Sequence, residues 1–462
     1  MSSAPQVAVV GGGYAGFAAA VTLARGGARV SLFESSRTLG GRARVVDTLD
    51  YSLDNGQHIL LGAYAETLRM LRLVGVKPGV LETRRLALVY PGLCELRAAP
   101  LPAPLHLALG LLRAKGLSWA DKRAMVRLMG QLKRQAYRVE PDRPVAALLA
   151  ESGQTDTLSR LIWEPLCIAA LNTPVSEASA QVFARVLQDS LAASASASDL
   201  LIPRVDLSEL FPVPASRWLA MRGHQVRTAE PIKAIERHDD GYRLDGDPWR
   251  SLYDHVVIAT APYHVAALVE ALPAMAPVTA CIGALRHQPI VTSWLAFDGP
   301  VHFPDPMIGL SGGYGQWAFD RAALGGPEGL VGVVISASGA HQEISKEALE
   351  IALVAELQEQ DIQFNSLTDH IDTSTTSGRF FFHVMASLAQ MERELTLERT
   401  HAGLAAAKQQ GKIGGRKRQM TDSKIHSARR LLADGLAPRE VAKNLGVSVP
   451  TLYRWVPAHA TS

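Results

Sequence analysis

The sequence predicts an α/β chain with a largely helical middle and a small all-α end, and three observations carry that expectation. A β-branched apolar run, Val7–Val10, enters a glycine turn and then a helical stretch, the start of a parallel β-α-β unit. An Ala- and Leu-rich stretch over about 75–220 spaces its apolar residues at helical intervals. The last 55 residues are basic and are punctuated as three short helices.

With 462 residues, 47% hydrophobic and 20% charged, the chain has room for two or more domains with sizeable cores. Net charge is +3, but it is unevenly placed. Residues 408–462 hold 11 Lys and Arg against 3 Asp and Glu, or +8, which leaves −5 for residues 1–407. A basic tail on a mildly acidic body points to an anionic partner for the tail alone. Cys94, Cys167 and Cys281 are far apart and follow no metal spacing. They fit a reducing, cytoplasmic compartment, and no metal site is expected. The first apolar run leads straight into glycines, so it reads as a strand and not as a leader. The apolar segment Leu101 to Leu112 is too short to span a bilayer and is suited to lying on the inner face of a membrane.

Taken in order, Gly11-Gly12-Gly13-Tyr14-Ala15-Gly16 follows the first strand. Gly11 permits the tight turn, Gly13 lets backbone approach a pyrophosphate, and Gly16 lets helix and strand pack closely. A helix is expected over Phe17 to Arg25, its N-terminus aimed at the phosphates. A second strand, Arg29 to Phe33, ends at Glu34, an acid placed to accept hydrogen bonds from ribose hydroxyls. Strand, glycine turn, helix, strand and acid in this order specify a Rossmann-like dinucleotide site far better than the glycines alone.

Gly40-Gly41-Arg42 comes next and resembles the segment that follows the ribose acid in the amine oxidase and phytoene desaturase superfamily. That resemblance implies FAD, with Arg42 meeting the flavin diphosphate through its fork of donors. Asp54-Asn55-Gly56-Gln57-His58 resembles the superfamily's turn beside the flavin ring, which puts Gln57 and His58 near the cofactor. Strands are expected over Gln225 to Ala229, Ile232 to Glu236 and Tyr242 to Leu244, and Ile232 matches the position that meets the adenine through backbone atoms. Asp254 to Pro262 resembles the returning strand of the nucleotide domain.

Within the superfamily, DNGQHILLGAY, LPAPLHLALGLL, LNTPVSEASAQVF, SDLLIPRVDLSELFP and GQWAFDR are similar to the bacterial hydroxysqualene dehydroxylases. The implied parts are FAD-binding and substrate-domain segments over 1–75 and 223–355, with a mainly helical cap over 76–222 closing an isoprenoid pocket. The implied reaction is reductive removal of the allylic hydroxyl of hydroxysqualene to give squalene. The superfamily also implies a closing glycine-aspartate turn and helix over the flavin ribityl chain. No such segment follows Ile335-Ser336-Ala337, so impaired turnover is expected.

From about 360 the chain resembles transposon serine resolvases and invertases. Ser366-Leu367-Thr368-Asp369 and Ile371-Asp372-Thr373 lead to a long helix, Phe380 to His401, within a segment 361–407. Arg393, Glu398 and Arg399 match positions near that family's active site, but its nucleophilic serine lies in a catalytic domain this chain lacks, so recombination is not expected. In residues 408–462, Gly414-Gly415-Arg416-Lys417-Arg418 forms a basic arm of the kind that lies in the minor groove. Helices are expected over Asp422 to Ala433, Pro438 to Leu445 and Val449 to Trp455, with Gly446 as the turn and Ser448 as a cap. Val441, Ala442, Leu445, Val447 and Leu452 supply a small core, and Ser448, Thr451, Tyr453 and Arg454 are candidates to contact duplex DNA. Two functions therefore stand side by side: an FAD-dependent oxidoreductase, and a DNA-binding fusion product without recombinase activity.

Overall fold

The computed structural model describes residues 4–48, 51–246, 249–297, 299–358, 365–366, 371–372, 422–434, 436–447, 452–453 and 455–456. The chain divides into two compact units, 1–385 and 386–462.

In the first unit, β1 (Gln6–Val10), α1 (Tyr14–Arg25) and β2 (Arg29–Phe33) follow one another as the apolar runs require. Period-two alternation sorts the side chains of the two strands. Val7, Val9, Val30 and Leu32 pack under α1 with Phe17, Ala20 and Val21, while Ala8, Val10 and Phe33 face Ile235, Leu244 and Tyr253. Helix α1 begins three residues earlier than expected, because Gly13 already takes the extended conformation of a cap.

The middle of this unit opens with strands, which the mainly helical reading did not place. Leu81–Arg84 pairs with Leu200–Pro203, and β3 (Ala87–Tyr90) and β4 (Cys94–Arg97) form a hairpin. The signal was Pro91-Gly92 between two apolar runs, a turn dipeptide that helical periodicity overlooks. Helices α2 (Leu105–Arg113) and α3 (Trp119–Arg134) follow, and Ser118 and Asp121 close a capping box at the start of α3. The core here centres on Leu128, Leu132, Leu158, Ile162, Trp163 and Phe183, and the Trp163 indole N–H donates to Gln154 Oε1 at 2.8 Å.

The chain then returns to the first sheet through β5 (Gln225–Arg227). That strand stops at Arg227, short of the expected Ala229, whose φ of 56° is left-handed. A meander of β6 (Ala234–His238), β7 (Gly241–Asp245) and β8 (Arg250–Tyr253) leads to β9 (His255–Ile258). The strand expected from Ile232 thus starts at Ala234, leaving Ile232 in the preceding connection. The parallel sheet has the order β5-β2-β1-β9, and among the described residues β9 pairs on one side only.

An antiparallel sheet, β10 (Ile290–Ala296), β11 (Met307–Gly309), β12 (Trp317–Asp320) and β13 (Leu330–Ser336), has the order β10-β13-β12-β11. One face carries Val331, Val333 and Ile335, covered by Leu349, Leu353 and Leu357 of α4 (Lys346–Gln358). The other carries Trp317, Phe319 and Val334, which join the cap's core. Beyond α4, Asn365–Ser366 pairs with Ile371–Asp372. The expected helix Phe380 to His401, with Arg393, Glu398 and Arg399, lies outside the described residues.

In the second unit, α5 (Asp422–Ala433) and α6 (Pro438–Leu445) have the expected bounds, and Gly446 ends α6 with φ 66°. Ala428, Val441, Ala442, Leu452 and Val456 are buried together, with Leu445 and Val447 packed against them.

Candidate functional site

The carboxyl ends of a parallel sheet are where nucleotide sites form, and the predicted residues converge there. Gly11 leaves β1 with φ 115°, and its amide donates to Phe33 O at 2.8 Å. A Cβ on Gly11 would stand 2.6 Å from Ala259 O, and one on Gly16 would stand 1.9 Å from Gly11 O. Neither position admits a side chain, so α1 and the turn pack as closely as backbone allows. Gly13 is different: a Cβ there would meet nothing nearer than Gly40 O at 3.8 Å. Tyr14, Ala15 and Gly16 form the first turn of α1, whose unpaired amides favour an anion.

Glu34 is buried to 8% exposure. Its carboxylate accepts from the Gly12 amide at 2.7 Å and the Ser36 amide at 2.8 Å, so β2's end is tied to the glycine turn. The Gly40 amide donates to Gly12 O at 2.9 Å, and Gly41 has φ 62°. Two glycine turns thereby face each other across Gly13 and Gly40. The Thr260 hydroxyl, just past β9, is shielded from solvent with no hydrogen-bond partner among the described residues. Open space at Gly13, free helix-end amides and an orphaned hydroxyl fit the diphosphate of a dinucleotide cofactor.

Arg42 extends from this cradle with an exposed side chain, and its carbonyl accepts from Asn55 Nδ2 at 3.0 Å. Asn55 thus joins the cradle to the turn Asp54–His58. In that turn, Gln57 Oε1 accepts from Arg321 Nη1 at 2.7 Å, and His58 Nδ1 lies 2.7 Å from Gly56 O. Gly56 sits over Thr292 of the antiparallel sheet, on the face away from α4. Arg321 stacks 5.7 Å from the Trp294 ring, for which Gly332 on the neighbouring strand leaves room. Burial lowers the Arg321 pKa from its ordinary value, and the Asp54 charge opposes that. Asp54 is raised, by burial first and Asp206 later, while the Leu207 amide, His58 and Arg321 pull it down. Ile232 is half-buried against the core that holds Phe33, Ile235 and Leu244, and Trp249 stacks on Phe33 at 5.0 Å.

One connecting element escaped the sequence reading. Leu207 and Ser208 begin a short helix capped by Asp206, and they fasten three distant segments. The Leu207 amide donates to Asp54 Oδ1 at 2.7 Å, and Leu207 O accepts from the Tyr14 hydroxyl at 2.8 Å. Ser208 Oγ donates to Leu39 O at 2.8 Å and accepts from the Val45 amide at 3.1 Å. Asp206-Leu207-Ser208 stands in the quoted stretch SDLLIPRVDLSELFP, but nothing local marks it as a hub. Of the DNA-contact candidates, Tyr453 is exposed beside the small core, whereas Arg416, Lys417, Arg418, Ser448, Thr451 and Arg454 lie outside the described residues.

Comparison with known proteins accords with this geometry. The sequence profile of the family "flavin containing amine oxidoreductase" matches residues 14–373. Those of "resolvase, N terminal domain" and "helix-turn-helix domain of resolvase" match 345–413 and 415–459. A hydroxysqualene dehydroxylase of Sinorhizobium fredii is 27% identical over 331 residues, 68% of this chain and 73% of that protein. The serine recombinase Gin of Escherichia phage D108 is 55% identical over 111 residues, 24% of this chain. The chain spans just 56% of that recombinase's length. Among solved structures, an oxidoreductase from Methanosarcina mazei has a TM-score of 0.59 at 14% identity, covering 77% of this chain and 84% of that one. A putrescine oxidase bound to putrescine has a TM-score of 0.56 at 17% identity, covering 77% and 81%. At such identities the structures show a shared fold. A flavin cofactor and a resolvase-type DNA-binding domain follow from the family matches.

Proposed function

Because the chain belongs to the flavin-containing amine oxidoreductase family over residues 14–373, we propose that its first unit holds FAD and acts on hydroxysqualene or a like isoprenoid alcohol, replacing the allylic hydroxyl by hydrogen, so that hydroxysqualene gives squalene and the hydroxyl leaves with a proton as water. The observation that carries the cofactor part is the pair of glycine turns meeting at Gly13 beside Glu34, and the substrate follows the likeness to the Sinorhizobium hydroxysqualene dehydroxylase. Bound and reduced, FAD would supply the hydride for that removal. The amides of Gly13 to Gly16 and the Gly40-Gly41 turn would hold the diphosphate, and Glu34 would hold the ribose. Arg42, exposed at the cradle's rim, would close on phosphate oxygens with its fork. Gln57 and His58 would lie near the flavin, and Arg321, half-buried and bonded to Gln57, would set a positive charge beside that turn, where it would stabilise negative charge on a departing oxygen.

Purified full-length protein should show a flavin absorbance band and bind FAD more tightly than NAD; tighter binding of NAD would sink the reading. Arg42→Ala should weaken FAD binding by roughly 1.5–3 kcal/mol, the scale of a hydrogen bond to a charged group, as read by flavin titration. Supplied with hydroxysqualene and reductant, the protein should form squalene far more slowly than the Sinorhizobium relative. The basis is the edge at β9, which among the described residues has no closing strand beside it. Turnover equal to the relative's would show that closure is dispensable.

The second unit favours a further reading, DNA binding without recombination. The folded core around Val441, Ala442 and Leu452 and the helix-turn-helix match at 415–459 carry it. Full-length protein should shift duplex DNA carrying resolvase-type sites, with affinity that falls steeply as salt rises. Replacing Arg416, Lys417 and Arg418 together by alanine should flatten the salt slope by roughly 2–3 units. Salt-insensitive binding by the parent protein would remove this reading.

A further inference from the structure

The cap carries a surface that neither function uses. On α2, Leu105, Ala108 and Leu112 recur at helical spacing and face solvent, Leu105 at 55% and Leu112 at 53% exposure. On α3, Trp119 and Val126 are 63% and 61% exposed. The two helices meet at this face: Lys122 Nζ donates to the Leu112 and Ala114 carbonyls at 2.9 and 3.0 Å, and it lies 5.4 Å from the Trp119 ring centroid.

Charge is segregated here as well. Residues 101–134 hold seven Lys and Arg against one Asp, a net +6. That Asp, Asp121, is buried in the capping box and offers the surface no negative charge. Residues 1–407 sum to −5, so their remainder stands at −11 and residues 101–134 are a basic island in an acidic body. Lys115 is paired with Glu95 at 2.8 Å. Arg113, Arg123, Arg127, Lys133 and Arg134 have no carboxylate partner among the described residues, and all are exposed.

Large exposed side chains with an indole among them, ringed by cations, match the boundary between lipid headgroups and acyl chains, where indole rings and basic side chains both gain. A nucleic-acid partner would account for the cations and leave the leucines and Val126 in water. We propose that α2 and α3 dock this protein on the surface of an anionic lipid bilayer.

The test uses the full chain with vesicles of equal parts phosphatidylglycerol and phosphatidylcholine, and with vesicles of phosphatidylcholine alone. Co-sedimentation is expected with the anionic vesicles, and brominated lipid should quench part of the tryptophan fluorescence. Leu105→Ser, Leu112→Ser and Trp119→Ser together should lower partitioning roughly tenfold or more, the effect of removing inserted apolar groups. These side chains are exposed, so an unchanged melting temperature should accompany the loss. Trp119→Phe alone should remove the lipid-quenched fluorescence. Because the tail is also cationic, the Arg416, Lys417 and Arg418 triple alanine variant is run beside them and should keep its quenching. Binding lost only in that tail variant, equal binding to both vesicle types, or quenching that persists in Trp119→Phe would each overturn the proposal.

Discussion

Gly13→Ala should leave the fold intact and abolish flavin retention. Gly13 has φ −82°, which alanine accepts, and its added Cβ would meet no protein atom nearer than 3.8 Å. The folded protein should lose no more than about 1 kcal/mol, the cost of alanine at a helix cap. The space that methyl would fill is the space a phosphate needs. Gly16→Ala makes the contrast, because its Cβ would stand 1.9 Å from Gly11 O and would push α1 off the turn. That variant should lose flavin and also about 1–3 kcal/mol or more of stability, the range for overpacking. Flavin content and chemical denaturation of the two variants settle the matter. If Gly13→Ala keeps its flavin, the cradle is not a phosphate site.

Leu353→Ala should cost about 2–5 kcal/mol, the range for emptying a fully buried leucine site. Leu353 has 0% exposure at the centre of the α4 contact with the antiparallel sheet. The same helix anchors through Glu356, whose carboxylate accepts from the Tyr314 and Gly315 amides at 2.5 and 2.9 Å. Glu350→Ala, on the half-exposed side, should change stability by no more than about 0.5 kcal/mol. Equal melting temperatures for the two variants would mean that α4 does not cover the sheet in solution.

The parts of the site that were legible in the sequence are the local ones. Gly11 to Gly16, Glu34 and Gly40-Gly41 lie within 31 residues and are constrained by backbone geometry, so their spacing alone indicates the cradle. The continuous burial of β1 and the bounds of β2, α5 and α6 were legible for the same reason. Tertiary contacts were not. Leu207 reaches Tyr14 across 193 residues and Asp54 across 153, through backbone atoms that any residue type but proline could supply. Arg321 stood in a quoted motif, yet its meeting with Gln57, 264 residues away, depends on how the two sheets are placed. The β3–β4 hairpin was missed because a long helical pattern absorbed a Pro-Gly signal within it.

Helix α4 lies in the stretch, residues 345–373, that both the oxidoreductase and the resolvase profiles match. The sheet beneath it asks only for a leucine at every fourth position, as Leu349, Leu353 and Leu357 provide. A demand that loose is met by amphipathic helices of unrelated ancestry. Two coding sequences can therefore be spliced inside such a helix, and if the seam keeps the phase of a single helical turn, the sheet cannot distinguish the borrowed half from its own.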